Sequence, residues 1–119
     1  MTKRVDLFIP RLPGLNTSSR RQHWAVQHKD AKTWASLVRA GVRRPRVPHA
    51  KAEVILRRCS TREPDYDNLV ASFKPVVDAL VTSGILADDK PSNFKHRRPD
   101  YKWAKVAKDH QGIHVEVWA

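Results

Sequence analysis

Two short acidic clusters are the part of this chain whose residue types and spacing could do chemistry. The first holds Asp65 and Asp67, and the second is the adjacent pair Asp88 and Asp89. Two acids separated by one residue lie on the same side of an extended backbone. Magnesium prefers hard oxygen ligands and usually takes one or two carboxylates together with phosphate oxygens and water. A fold that brings the second cluster back to the first would therefore create a site for a divalent cation.

Such a site would suit phosphodiester cleavage. Crowded carboxylates repel one another, which raises their pKa values, and a bound cation relieves that repulsion. The metal could polarise a phosphodiester and activate a water molecule. Lys74 falls on the same helical stripe as Asp67, where its charge could stabilise the phosphate during reaction.

The chain around these clusters is strongly basic. Lys and Arg total 23 against 12 Asp and Glu, which gives a formal charge of +11. This excess predicts association with a polyanion, and nucleic acid is the leading candidate because Lys and Arg neutralise phosphates and release counterions. A ribosomal or purely structural RNA-binding protein would carry the same charge. The acidic clusters, not the charge, are what favour an enzyme.

The bulk properties predict one domain spanning residues 1–119. Cys59 is the single cysteine, which excludes an intramolecular disulfide and fits a reducing cytoplasm. We expect a plain strand-end role for it. No apolar run approaches the roughly 20 residues of a membrane span, and the N-terminal segment lacks the apolar core of a signal peptide. A cytoplasmic protein without membrane association is therefore expected.

Hydrophobic periodicity predicts an α+β domain in the order β-α-β-α-β-β, with a four-stranded mixed sheet and two helices. The expected elements are strands near 5–9 and 52–56, helices over 24–41 and from about 67 to 84, and a hairpin of strands 103–108 and 113–118 across residues 109–112. Trp24 and Trp34 are expected in the core. Pro75 interrupts the second helix, so we expect a kink there or a short first turn before the main helix.

Simpler interpretations of the same residues stay open. Asp65 or Asp67 could be an N-cap of the second helix. Asp88 and Asp89 could form a solvated turn. Lys74 and Asp78 are spaced i,i+4 and could make an ordinary surface ion pair.

Taken in order, the motifs resemble the signature of RusA-type Holliday-junction resolvases. The matching residues are Asp-x-Asp-Asn-Leu at 65–69, Lys74, Asp-Ala-Leu at 78–80, Gly84 and Asp-Asp at 88–89. The close match covers about residues 64–89, and the element order extends it over nearly the whole chain. The N-terminal strand that leads into a Pro-containing basic loop is similar as well.

The resemblance implies a homodimer that nicks four-way DNA junctions symmetrically with magnesium, for which manganese could substitute. It implies that Asp65, Asp67 and Asp89 are the catalytic, metal-binding carboxylates and that Lys74 is the essential basic residue. Relative to the family pattern, about three residues are inserted before this lysine. Three residues are close to one helical turn, so Lys74 is still expected to face the site, with Asp78 as its partner.

Recognition of branched DNA would rest on backbone charge and shape. The candidate phosphate contacts are Arg11, Arg20, Arg21, Arg62, Lys95, Arg97 and Arg98. The alternative for each is a solvated surface charge. Two other functions stay open: a catalytically inactive nucleic-acid-binding protein of the same fold, and a metal-dependent enzyme acting on nucleotides, which no glycine-rich loop supports.

Overall fold

The elements of the fold follow the predicted α+β order, with a four-stranded mixed sheet. The computed structural model describes residues 1–15 and 24–119, the side chains of residues 24–28 excepted. Its elements are β1 (Lys3–Ile9), α1 (Trp24–Gly41), β2 (Glu53–Ser60), α2 (Tyr66–Ser72), α3 (Lys74–Thr82), β3 (Asp100–Lys105) and β4 (Gly112–Trp118). Two 3-10 turns, Pro91–Asn93 and Lys108–His110, flank β3.

The strand order in the sheet is β1-β4-β2-β3. β4 is antiparallel to both β1 and β2, and β3 is parallel to β2 at the edge. The predicted hairpin of the last two strands is therefore wrong, because β2 lies between them. The 3-10 turn Lys108–His110 and its flanking residues carry the chain past β2, and β3 begins at Asp100 rather than Trp103.

One face of the sheet and the helices form the core. Leu7, Leu56 and Val115 stand opposite one another across the three neighbouring strands, and all are buried. Trp34 of α1 and Leu80 of α3 are 1% and 0% exposed. Each such side chain contributes roughly 1.5–3 kcal/mol when it leaves water. Trp34 thus has its expected core position, whereas the side chain of Trp24 lies outside the described part.

The second predicted helix is divided at Phe73. α2 ends at Ser72, whose hydroxyl donates to the Leu69 carbonyl at 2.7 Å, and α3 begins at Lys74. Pro75 occupies the first turn of α3, where its missing amide hydrogen has no intrahelical acceptor to lose. The interruption expected from Pro75 is confirmed. The break also makes Lys74 the first residue of α3.

Of the helices in the described part of the chain, none has both the length and the apolar character needed to cross a bilayer.

Candidate functional site

Lys74 is the point at which residues of the predicted site meet. Its ammonium nitrogen lies 3.1 Å from a carboxylate oxygen of Asp78 and 3.8 Å from one of Asp89. The contact with Asp78 follows from i,i+4 spacing on α3, but the contact with Asp89 joins two different elements. The lysine therefore faces the second acidic cluster despite its displaced position in the sequence.

A hydrogen-bonded turn places Asp89 beside Lys74. The Asp88 side chain accepts the Asp89 amide at 2.7 Å, and the side-chain amide of Asn93 donates to the Asp88 carbonyl at 2.7 Å. Asn93 itself is only 8% exposed. The Asp89 amide is the main reason that the pKa of Asp88 is lowered from its usual value. Asp88 therefore acts as a turn residue, which leaves Asp89 as the acid of this pair that contacts Lys74.

The first acidic cluster lies at the start of α2. Asp65 occupies the N-cap position, but its side chain makes no capping hydrogen bond, and only its backbone carbonyl accepts the Leu69 amide at 2.9 Å. Asp67 lies in the first helical turn, and both acids are exposed. Neither carboxylate forms an ion pair with any Lys, Arg or His that the structure describes. Asp65 thus occupies the N-cap position, as one interpretation of the sequence expected, but its carboxylate does not cap the helix.

A continuous surface connects Asp67 with the Lys74–Asp89 pair. Lys74 and Asp89 line a shallow depression of about 260 Å³, and Asp67 and Arg98 line a neighbouring one of about 390 Å³. Both depressions share the residues Val70, Ala71 and Tyr101. One acid from each cluster and the motif lysine therefore border the same concave surface.

The predicted three-carboxylate cluster is not preassembled. Across residues 1–15 and 29–119, no group of three or more His, Cys, Asp or Glu side chains is close enough to hold a metal ion. Asp67 and Asp89 thus border the same surface, whereas Asp65 lines neither depression, and the three carboxylates do not converge. The exposed carboxylates of Asp65 and Asp67, which form no ion pair among the described residues, still fit hydrated magnesium, because that ion is usually completed by substrate phosphate and water.

Two tyrosines that the sequence analysis did not single out belong to this surface. Tyr66, between the two acids of the Asp-x-Asp motif, is 57% exposed. Tyr101 is half-buried, and burial is the main cause that raises the pKa of its phenol, with Tyr66 adding to it. The position of Tyr66 in the motif was a usable signal, whereas the place of Tyr101 depends on strand pairing that local sequence does not show.

Arg58 is a third residue whose role the sequence did not reveal. It is 5% exposed, its guanidinium donates to the Pro13 carbonyl at 2.7 Å, and burial lowers its pKa. This contact ties the Pro-containing loop after β1 to strand β2. The neighbouring Cys59 is buried, which raises the pKa of its thiol, and this fits the structural role expected for it.

The predicted phosphate contacts differ in their surroundings. Arg98 lines the depression that contains Asp67, whereas Arg11 lies 3.8 Å from Asp30 and Lys95 lies 3.7 Å from Glu53. Arg62 and Arg97 are exposed. Arg20 and Arg21 lie outside the described residues. Of this set, Arg98 has the position best suited to contact a phosphate at the acidic surface.

Comparisons of the chain with protein-family models, with curated proteins and with solved structures return no match. The RusA-type resemblance therefore stays a prediction that depends on the motif residues.

Proposed function

We propose that this protein is a magnesium-dependent endonuclease that resolves four-way DNA junctions. The observation that carries the proposal is the contact of Lys74 with Asp89 beside the surface that holds Asp67. Residues from both acidic clusters share one surface of a chain whose formal charge is +11. A basic protein that keeps exposed acids at one place is suited to holding a metal against a phosphate.

In this proposal, Asp65, Asp67 and Asp89 supply the carboxylates for the ion. When bound, magnesium would polarise the scissile phosphodiester and promote ionisation of a water molecule. Lys74 contacts a non-bridging phosphate oxygen and stabilises the negative charge that builds up there. An entering phosphate competes with Asp89 for the lysine, which frees that carboxylate for the ion. Asp78 keeps the ammonium group in place throughout.

A homodimer and a cytoplasmic role in DNA recombination or repair complete the proposal. A four-way junction has approximate two-fold symmetry, and an isologous dimer can present two equivalent sites to opposing strands. Light scattering on the purified protein should give about twice the chain mass of 13.7 kDa. A monomer that still makes paired nicks would contradict the dimeric arrangement.

The test of the proposed activity is cleavage of a labelled four-way junction by the Asp67→Asn variant. The substitution keeps the side-chain size and removes the charge that a metal requires, so we expect loss of nicking with folding and junction binding intact. Asp109→Asn is the matched control, because Asp109 is exposed in the 3-10 turn Lys108–His110, outside the acidic motif. Undiminished nicking by Asp67→Asn would reject the assignment.

A catalytically inactive DNA-binding protein of the same fold is the second candidate. The observation that favours it is the lack of a preassembled group of three acids in the described chain. Incubation of the wild-type protein with junction DNA, with and without magnesium, separates the two functions. Binding without any magnesium-dependent product would support the inactive protein. Steeply salt-dependent binding to long DNA would argue against an enzyme that acts on nucleotides.

A further inference from the structure

We propose that Arg39, Arg43, Arg44 and Ser83 form a second phosphate site, which binds a backbone phosphate of nucleic acid. A depression of about 560 Å³ lies where the C-terminal end of α1 meets that of α3, and these four residues line it. The proposal rests on the nucleic-acid-binding part of the proposed function and is independent of cleavage.

The depression is cationic. Its remaining lining residues are Val42, Thr82 and Ile85, so no acid among the described residues borders it. None of the three arginines forms an ion pair with a carboxylate in the described part of the chain. Three guanidinium groups without acidic partners are available to an anion, and planar guanidinium donors match phosphate oxygens well.

Ser83 supplies the second, independent observation. The residue is 7% exposed, and its hydroxyl oxygen is buried without a hydrogen-bond partner among the described residues. A buried polar group without a partner is costly and uncommon. Because Ser83 lines the depression, a rotation of its side chain would let a phosphate oxygen there accept the hydrogen bond that the described residues leave unmade.

Gly84 brings the side chain of Arg44 against the end of α3, next to Ser83 in sequence. The glycine has a φ of +77°, and a Cβ at this position would lie 2.7 Å from Nε of Arg44. The arginine side chain therefore packs against the bare backbone at the end of α3. Glycine adopts this left-handed conformation without steric cost because it has no Cβ, and the missing side chain also makes room for the guanidinium.

A purely structural role for the arginines is the competing explanation. Helix C-termini carry partial negative charge, and Arg39 in the last turn of α1 complements it. That role explains why a cation lies there, but it gives the Ser83 hydroxyl no partner. The two explanations differ in whether the loss of these groups changes stability or DNA binding.

The two sites lie at opposite ends of α3, with Lys74 as its first residue and Ser83 as its C-cap. Nine residues along the helix correspond to an axial rise of roughly 13.5 Å at 1.5 Å per residue. At 3.6 residues per turn, the two positions also lie on roughly opposite sides of the helix axis. The second site would therefore contact a phosphate other than the one at Lys74.

The test measures junction binding without magnesium by fluorescence anisotropy at several salt concentrations. The variants are Arg43→Gln/Arg44→Gln and Ser83→Ala. The control is Lys105→Gln/Lys108→Gln, which removes the same charge from exposed lysines that have no ion pair in the described chain. We expect the arginine pair to weaken binding roughly tenfold and to reduce the slope of log K against log salt by about 0.9 for one lost phosphate.

Ser83→Ala separates a binding role from a structural one. Removal of an unpartnered hydroxyl should leave the thermal midpoint unchanged or higher, yet weaken junction binding severalfold. Binding by both variants at the level of the lysine control would overturn the site. Calorimetric binding of inorganic phosphate at the site, with DNA affinity unchanged in the variants, would assign it to a free anion and also overturn the proposal.

Failure of this inference is distinguishable from failure of the proposed function. A wild-type protein that never nicks with magnesium, while these variants bind the junction weakly, would refute the nuclease and support the second site. A wild-type protein that nicks junctions, with unchanged binding by the variants, would refute the second site alone. A wild-type protein that does not bind the junction would refute both.

Discussion

At the scale of single residues, the main question is why Lys74 is held between two carboxylates. An exposed i,i+4 pair such as Lys74–Asp78 contributes only a few tenths of a kcal/mol. The lysine side chain is 70% exposed, so the contact with Asp89 adds little more. The two contacts therefore add little to stability, whereas the proposed catalytic role requires a large effect of Lys74 on nicking.

Replacement of this lysine therefore separates the two roles. Lys74→Gln should reduce single-turnover nicking about 10²- to 10³-fold, because one donor to the developing phosphate charge is lost. The free energy of unfolding in urea should change by less than about 0.5 kcal/mol. Lys102→Gln is the control, since Lys102 pairs with Asp100 at 3.6 Å on the surface of β3. Equal nicking by both variants would argue against a catalytic Lys74.

At the scale of elements, the turn between α3 and β3 should respond to acid. The Asp89 amide lowers the pKa of Asp88 below the value of about 3.9 for an unfolded chain. A depressed pKa contributes stability that is fully present above the unfolded pKa and is lost as the pH falls through the folded pKa. Wild type should therefore exceed Asp88→Asn in unfolding free energy by more at pH 6 than near pH 3.

Urea unfolding of both proteins across this range is the measurement. The Asn side chain can still accept the amide hydrogen bond, so the titrating charge is what differs between the two proteins. A stability difference that does not vary with pH would show that the Asp88 carboxylate does not support the turn. Junction nicking followed at pH 6 would then show whether the loss of Asp88 also affects Asp89.

The elements also show how far sequence predicts this fold. The Pro75 break was predictable because it depends on the missing amide hydrogen of one residue. The pairing of β3 with β2 was not, because alternation identifies strands but not their neighbours. The sequence held one signal. β3, with the sequence Asp-Tyr-Lys-Trp-Ala-Lys, has three charged, exposed residues and no buried one, which suits an edge, whereas β4 is buried at alternate positions.

The candidate site divides in the same way. The i,i+4 contact between Lys74 and Asp78 was predictable from spacing on one helix. The contact between Lys74 and Asp89 needed the Asn93-supported turn, whose hydrogen bonds join residues that no periodicity connects. Tyr101 reaches the site through the parallel pairing of β3, where it stands opposite Leu56. A turn without periodicity thus accounts for the first gap, and non-local strand pairing accounts for the second.

At the scale of the whole molecule, exposed acids within a chain of net charge +11 oppose the binding that the charge promotes. Without a metal, Asp67 and Asp89 repel the phosphate that the surrounding Lys and Arg attract. We therefore predict that Asp67→Asn/Asp89→Asn binds junction DNA more tightly than wild type in the presence of EDTA. Calcium should improve binding by the wild type and have much less effect on the variant, because the ion has lost its carboxylates.

Anisotropy titrations at one salt concentration measure both effects, with calcium in place of magnesium so that the DNA stays intact. Asp109→Asn again serves as the control, because it raises the net charge at an exposed residue outside the acidic motif. The control removes one acid and the variant removes two, so a control gain of half the variant's gain in log affinity would reduce the effect to net charge. If calcium leaves the affinity of the wild type unchanged, Asp67 and Asp89 do not bind the metal. The surface that they share with Lys74 would then bind DNA without cutting it.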